Sequence, residues 1–232
     1  MIERRPFDTL GGADHGWLKA KHHFSFAEYH DEERIHVGAL RVWNDDVIAP
    51  NTGFPPHPHA NMEIITYVRE GAITHQDSLG NKGRTVAGDV QVMSAGTGIR
   101  HAEYNLEPVP TKIFQIWIFP DKNGGEPTWG TQPFPKGDRS GQFAVLASGL
   151  PEDEGALRIR ARSRVLGVTL KKGETVSYPL GTDRLAYLVP AVGDVEVNGQ
   201  RIEARDGAVI AEEAIVTLTA LSDAEVVMVD VS

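Results

Sequence analysis

The chain contains no cysteine. Disulfides, zinc–thiolate sites and thiol nucleophiles are therefore excluded, while the redox compartment is left open. No apolar run approaches the roughly 20 residues of a membrane-crossing helix. The opening MIERRPFDTL lacks the apolar stretch of a secretory signal. A soluble, cytoplasmic protein is expected. Positive charge is also scarce: 23 Lys and Arg stand against 32 Asp and Glu, for a net charge of −9. That disfavours direct contact with nucleic acid or an anionic membrane, both of which need a basic face. Between Gly38 and Ile118 no segment shows a 3.6-residue apolar period, so helices are not expected there.

What the chain has instead is short strands and turns. GALRVWNDDVIAP alternates and stops at Pro50, EIITYVREG is β-branched and aromatic, and IFQIWIFP is an apolar run ended by Pro120. Gly, Pro, Asn and Asp turn signals separate them, as in DSLGNKG and AGD. This pattern predicts an all-β sandwich or barrel. A Pro- and Gly-rich stretch, PDKNGGEPTWGTQPFPKGDRSG (120–141), is the best linker, and strands resume after it. The expected division is residues 1–130 and 131–232. The second part repeats the first: EIITYVREGAITHQD (63–77) matches DRLAYLVPAVGDVEV (183–197), and GRTVAGDVQVMSAG (83–96) matches QRIEARDGAVIAEE (200–213). Residues 1–36 concentrate aromatics and histidines, including Trp17, His22, His23, Phe24 and Phe26, and are read as a cover packed on a sheet.

Two short runs carry the chemistry, HPHANME (57–63) and GIRHAEYN (98–105). In each, two ligand-type residues stand two apart, and on a strand such residues face the same way. His57, His59, His101 and Glu103 can thus enclose one ion. Three imidazoles and a carboxylate suit iron(II), copper, nickel, manganese or zinc. Glu63 is the rival carboxylate, on the face of His57 if the strand is unbroken, as ligand, orienting partner or catalytic base. His75 is a weaker candidate, and Asp77 and Asn105 read as turn residues. In the second copy Ser177 and Pro179 fall where His57 and His59 stand, and Ala220 and Ser222 near His101 and Glu103; no histidine follows His101.

The spacings G53-x3-HPH-x3-E63-x7-G71 and G88-x7-G-x-GIRH-x3-N105 resemble the two cupin motifs. The phrases DHGWLKAKHHFSF, HPHANMEIITYVREG, HQDSLGNKG and MSAGTGIRHAEYN resemble the pirin family, densely over about the first 120 residues and more loosely beyond. The resemblance implies a bicupin of two antiparallel β-barrels, with metal only in the N-terminal one, held by His57, His59, His101 and Glu103. It implies one divalent metal per chain, iron(II) first, with copper, nickel, manganese and zinc as alternatives. It further implies a quercetin 2,3-dioxygenase-like enzyme, in which dioxygen opens a flavonol ring with loss of carbon monoxide. Glu103 or Glu63 would act as the base that takes the flavonol's hydroxyl proton. Phe24, Phe26, Phe54 and Met93 are candidates for the walls of the pocket. The partners implied are a small aromatic substrate and dioxygen, acting on a monomer. The competing expectation is a non-catalytic, redox-sensing regulator that acts through a protein partner.

Overall fold

The computed structural model describes residues 1–232 and consists of strands and turns, with two short 3-10 turns at Phe7–Thr9 and Lys136–Arg139 and no α-helix. No helix is long and apolar enough to cross a membrane.

The first half contributes β1 (Ile2–Arg5), β2 (Gly11–Asp14), β3 (Leu18–His22), β4 (Leu40–Ile48), β5 (Thr52–His59) and β6 (Glu63–Glu70). These are followed by β7 (Ala72–Asp77), β8 (Lys82–Val86), β9 (Val90–Ser94), β10 (Ile99–Asn105), β11 (Thr111–Ile118) and β12 (Thr128–Gln132). The second half contributes β13 (Ala144–Ser148), β14 (Leu157–Arg158), β15 (Arg164–Leu170), β16 (Thr175–Pro179) and β17 (Leu185–Val192). The last five are β18 (Val195–Val197), β19 (Gln200–Ile202), β20 (Gly207–Ala211), β21 (Ile215–Ala220) and β22 (Ala224–Val231).

The strands form two sandwiches, each of a seven-stranded and a four-stranded sheet. The first pairs β12-β9-β6-β11-β4-β3-β2 with β5-β10-β7-β8, and the second pairs β1-β20-β17-β22-β15-β13-β14 with β16-β21-β18-β19. Pairing is antiparallel except between β13 and β14. The fold is the expected bicupin, with each domain a jelly-roll-like pair of sheets and not one continuously bonded cylinder. The internal repeat is visible as topology, because the central order β9-β6-β11-β4 recurs as β20-β17-β22-β15 and β5-β10-β7-β8 recurs as β16-β21-β18-β19. The slot that β12 fills beside β9 is filled beside β20 by β1, from the opposite end of the chain. Register corrects one detail of the repeat. His101 lies opposite His57 on the cavity side, whereas Ser177 pairs with Thr217 on the exposed face of its sheet and the inward pair there is Val176 opposite Leu218.

The two large sheets pack against each other. Trp43, Tyr67, Phe114 and Ile116 from the first meet Tyr187, Val189, Val227 and Val229 from the second in a cluster of 22 buried residues. A strand covered on both faces reads as a nearly continuous apolar run, which explains EIITYV and IFQIWI. Charged residues brace the same interface. Tyr67 donates to Glu225, Arg139 donates to Tyr67 at 2.6 Å, and Asp45 pairs with Arg69 and with Arg205 at 2.6 Å.

The two interiors differ. The second sandwich is filled by 18 buried apolar residues, among them Leu166, Val168, Leu188, Leu218 and Met228. The first has only small apolar clusters, one around Ile48, Val68 and Ile113 and one around Ile64, Met93 and Ile99. The space between them holds polar groups and a cavity.

Because the largest core lies between the domains, they should unfold together. Calorimetry is expected to show one transition, and Trp43→Ala should remove about 3–5 kcal/mol. That corresponds to a Tm lower by roughly 6–20 °C for a chain of this size. Two separate transitions, only one of them shifted, would contradict a shared core.

Candidate metal centre

Strands β5 and β10 bring the histidines together. The register sets His101 opposite His57 and Ile99 opposite His59. It then slips: Glu103 lies opposite Phe54, so three steps along β5 match two along β10. The extra residue falls at Pro55–Pro56, where the missing proline N–H groups favour a bulge. The slip is what lets Phe54 and His57, three apart, line the same cavity. Gly53 anchors the approach of the strands, since a Cβ there would stand 2.2 Å from the Glu103 carbonyl oxygen.

The donor atoms of His57, His59 and His101 all lie within 4.8 Å of one another, close enough to hold one metal ion. His57 Nδ1 is 2.8 Å from the Pro55 carbonyl oxygen. A carbonyl only accepts, so Nδ1 carries a proton and Nε2 is the nitrogen turned toward the other two histidines. His101 Nε2 faces it at 3.1 Å, and His59 Nε2 is buried without any hydrogen-bond partner. Burial, followed by the neighbouring imidazoles, lowers the pKa of His59 to about 4 and of His101 to about 3. Both are neutral near pH 7, the form in which imidazole binds metals. Converging imidazole nitrogens and an orphaned buried nitrogen fit a transition metal.

Glu103 stands beside this triad but is not one of the donors within 4.8 Å of one another. It is buried, and three side chains hold it. Thr66 Oγ1 and Gln91 Nε2 donate to Oε1 at 3.0 and 2.6 Å, and Gln115 Nε2 donates to Oε2 at 2.5 Å. Both amides are oriented from behind. Trp117 Nε1, which can only donate, bonds Gln115 Oε1 at 2.9 Å, and Thr85 bonds Gln91 Oε1 at 3.2 Å. The edge of His59 also meets Trp117, at 4.9 Å between centroids. One indole therefore supports both a histidine and the carboxylate's holder.

Glu63 is not brought to this site. Asn61 takes a left-handed φ of 52° between β5 and β6, which breaks the strand that would have put Glu63 in phase with His57. Glu63 instead shares the face of β6 that carries Ile65 and Tyr67 to the domain interface. There it accepts a hydrogen bond from Ser94 at 2.5 Å, and burial raises its pKa. His75 stacks on Trp129 at 4.8 Å and bonds Asp77 at 2.9 Å, with its ring 5.5 Å from that of His101. Asp77 and Asn105 are turn residues, holding the backbone of Leu79 and Asn81 and of Glu107 respectively.

The triad opens on a cavity of about 410 Å³. Its walls are partly as expected. Phe26 and Phe54 line it with Trp17 and Trp117, and Trp17 meets Phe54 edge-on at 5.2 Å. Phe24 lies in the interdomain core and Met93 packs on Ile64, so neither reaches the cavity. The N-terminal cover divides by strand alternation: Leu18, Ala20 and His22 face the cavity, and His23 turns to Tyr187. Thr66, Gln91, Gln115, Asn44 and Asp46 escaped the sequence reading. Thr66, Gln91 and Gln115 are polar residues inside runs of apolar ones, and Asn44 and Asp46 flank Asp45 in a polar run within β4; those interruptions are the signal that marks them.

The Pirin family model matches residues 3–118, and the model described as quercetinase C-terminal cupin domain matches residues 145–231. The chain belongs to the pirin family. A pirin-like protein of Caulobacter vibrioides is 73% identical over 230 residues, covering 99% of each chain. The quercetin 2,3-dioxygenase of Escherichia coli is 40% identical, covering 99% of this chain and 98% of its own. Among solved structures, the bacterial pirin YhhW of Escherichia coli in complex with nickel(II) superposes with a TM-score of 0.93 at 39% identity, covering 100% of this chain and 99% of that one.

A ligand that binds only the folded state stabilises it by about 2.7 kcal/mol at a hundredfold excess over Kd. Nickel(II) at that excess should raise Tm by roughly 5–10 °C, and His59→Ala should abolish the rise. An equal rise in His59→Ala would place the binding elsewhere.

Proposed function

We propose that this pirin is a metal-dependent dioxygenase that opens the ring of a flavonol-like substrate. The observation that carries this reading is the converging histidine triad opening directly into an aromatic-walled cavity. At about 410 Å³ the cavity falls within the usual range for small-molecule sites. In this reading His57, His59, His101 and Glu103 hold one divalent metal. Iron(II) is the first candidate, and nickel(II), the ion named with the Escherichia coli relative, is served by the same ligand types. When bound, the metal supplies a Lewis acid and a site for dioxygen chemistry.

The rest is work for the chain itself. Trp17, Phe26, Phe54 and Trp117 offer apolar faces to a planar substrate and keep water from the reacting end. A carboxylate has about four lone-pair positions. Three of those of Glu103 are taken by Thr66, Gln91 and Gln115, which leaves a free position on Oε2. That atom is the donor we assign to the metal, and it could take the hydroxyl proton of an incoming flavonol only by giving up the metal. Glu63, on the opposite face of β6, takes no part. Gln115 and Trp117 fix the carboxylate's orientation, and loss of such an orienting partner costs about 10–100-fold in metal affinity or activity.

The test is turnover of quercetin by protein loaded in turn with iron(II), nickel(II) and copper(II), followed by absorbance and by carbon monoxide release. Wild type should turn over, His101→Ala should fall to background, and Gln115→Leu should lose about 10–100-fold. Absence of turnover with every metal would refute the dioxygenase reading.

A further inference from the structure

The buried carboxylates of this protein are partnered, with one exception. Asp45 pairs with Arg69 and Arg205, Asp206 with Arg4, Asp230 with Tyr178 and Arg184, Glu225 with Tyr67 and Lys136, and Glu63 with Ser94. Asp46 Oδ1 is the one buried carboxylate oxygen without a hydrogen-bond partner. The residue is 2% exposed and lines the cavity. Strand alternation puts it there: Trp43 and Asp45 of β4 face the second domain, while Asn44 and Asp46 face the cavity. His22 Nδ1 lies 2.9 Å from Asn44 Oδ1, so the neighbouring amide has a protein partner and Asp46 has none.

A buried polar group left unpaired costs about 1–3 kcal/mol, and such a group in a native fold calls for an explanation. A valine at this strand position would avoid the cost. We infer that Asp46 is a ligand-binding residue, pairing with a hydroxyl group of the substrate other than the one that meets the metal centre. The inference rests on the cavity being a substrate site, as proposed above. Burial, with Asp45 and Glu103 nearby, holds the Asp46 carboxyl well above the usual carboxylate range. A hydroxyl suits the site in either protonation state, because it accepts from a carboxylic acid and donates to a carboxylate. An ether oxygen or an ammonium group suits only one of the two. The substrate class selected is therefore a planar aromatic bearing more than one hydroxyl.

The probe pair is quercetin and 3-hydroxyflavone, which share the ring system and the 3-hydroxyl, while 3-hydroxyflavone lacks the other hydroxyls. Binding to nickel(II)-loaded protein is read by quenching of tryptophan fluorescence, independently of turnover. Wild type should bind quercetin about tenfold or more tighter. Asp46→Asn, whose amide still pairs with a hydroxyl, should keep the preference. Asp46→Val should bring the two affinities within about twofold while its Tm stays equal or rises. Equal affinities in wild type, or an undiminished preference in Asp46→Val, would overturn the assignment. An Asp46-dependent preference without turnover would count against the dioxygenase reading and leave Asp46 standing. Turnover without the preference would do the reverse.

Discussion

Three imidazoles with converging nitrogens, set beside a carboxylate that three donors hold in place, form the constraint around which this structure is arranged. Such a cluster cannot be assembled from surface side chains. Glu103 has to be buried for Thr66, Gln91 and Gln115 to reach it, and each of those in turn occupies an interior position that an aliphatic residue would fill at lower cost. The interior of the first sandwich is consequently polar and partly hollow. Its rigidity comes from outside, from the large sheet's other face, where Trp43, Tyr67 and Phe114 are pressed against the second domain.

This gives the second sandwich a physical role. It has nearly the same strand order but a solid aliphatic interior, and where His57 and His101 face each other in the first sandwich it has Val176 opposite Leu218. It offers a firm surface for the back of the functional sheet, and β1 ties the start of the chain into it by pairing with β20. A duplicated fold has thus divided two tasks that conflict within one core: filling space, and keeping a cavity with unpaired polar groups. Asp46 belongs to the second task. Its cost falls on a strand whose opposite face is braced by the ion pairs of Asp45 with Arg69 and Arg205.

Much of this was legible from residue order. His57 and His59, and His101 and Glu103, share a face because a strand's period is local and needs no knowledge of its partner. The all-β class, the turn positions and the repeat followed from composition and alternation in the same way. What was not legible depended on pairing across strands. The bulge at Pro55–Pro56 exists only relative to β10, and it alone brings Phe54 to the side of His57. Glu63 looked eligible because phase was carried through Asn61, whose left-handed backbone resets it. Thr66, Gln91 and Gln115 lie on three different strands, and only the register shows that they converge on one carboxylate. Phe24 and Phe26, two apart in one run, separate to the interdomain core and the cavity because that run is a loop.

We propose that one interior, and not its twin, holds a single metal on His57, His59, His101 and Glu103. Anomalous diffraction from crystals of the metal-loaded protein tests it most directly. One peak per chain is expected, within bonding distance of the three imidazole Nε2 atoms and of Glu103 Oε2. A peak inside the second sandwich, or one that leaves His59 or Glu103 outside bonding distance, would contradict it.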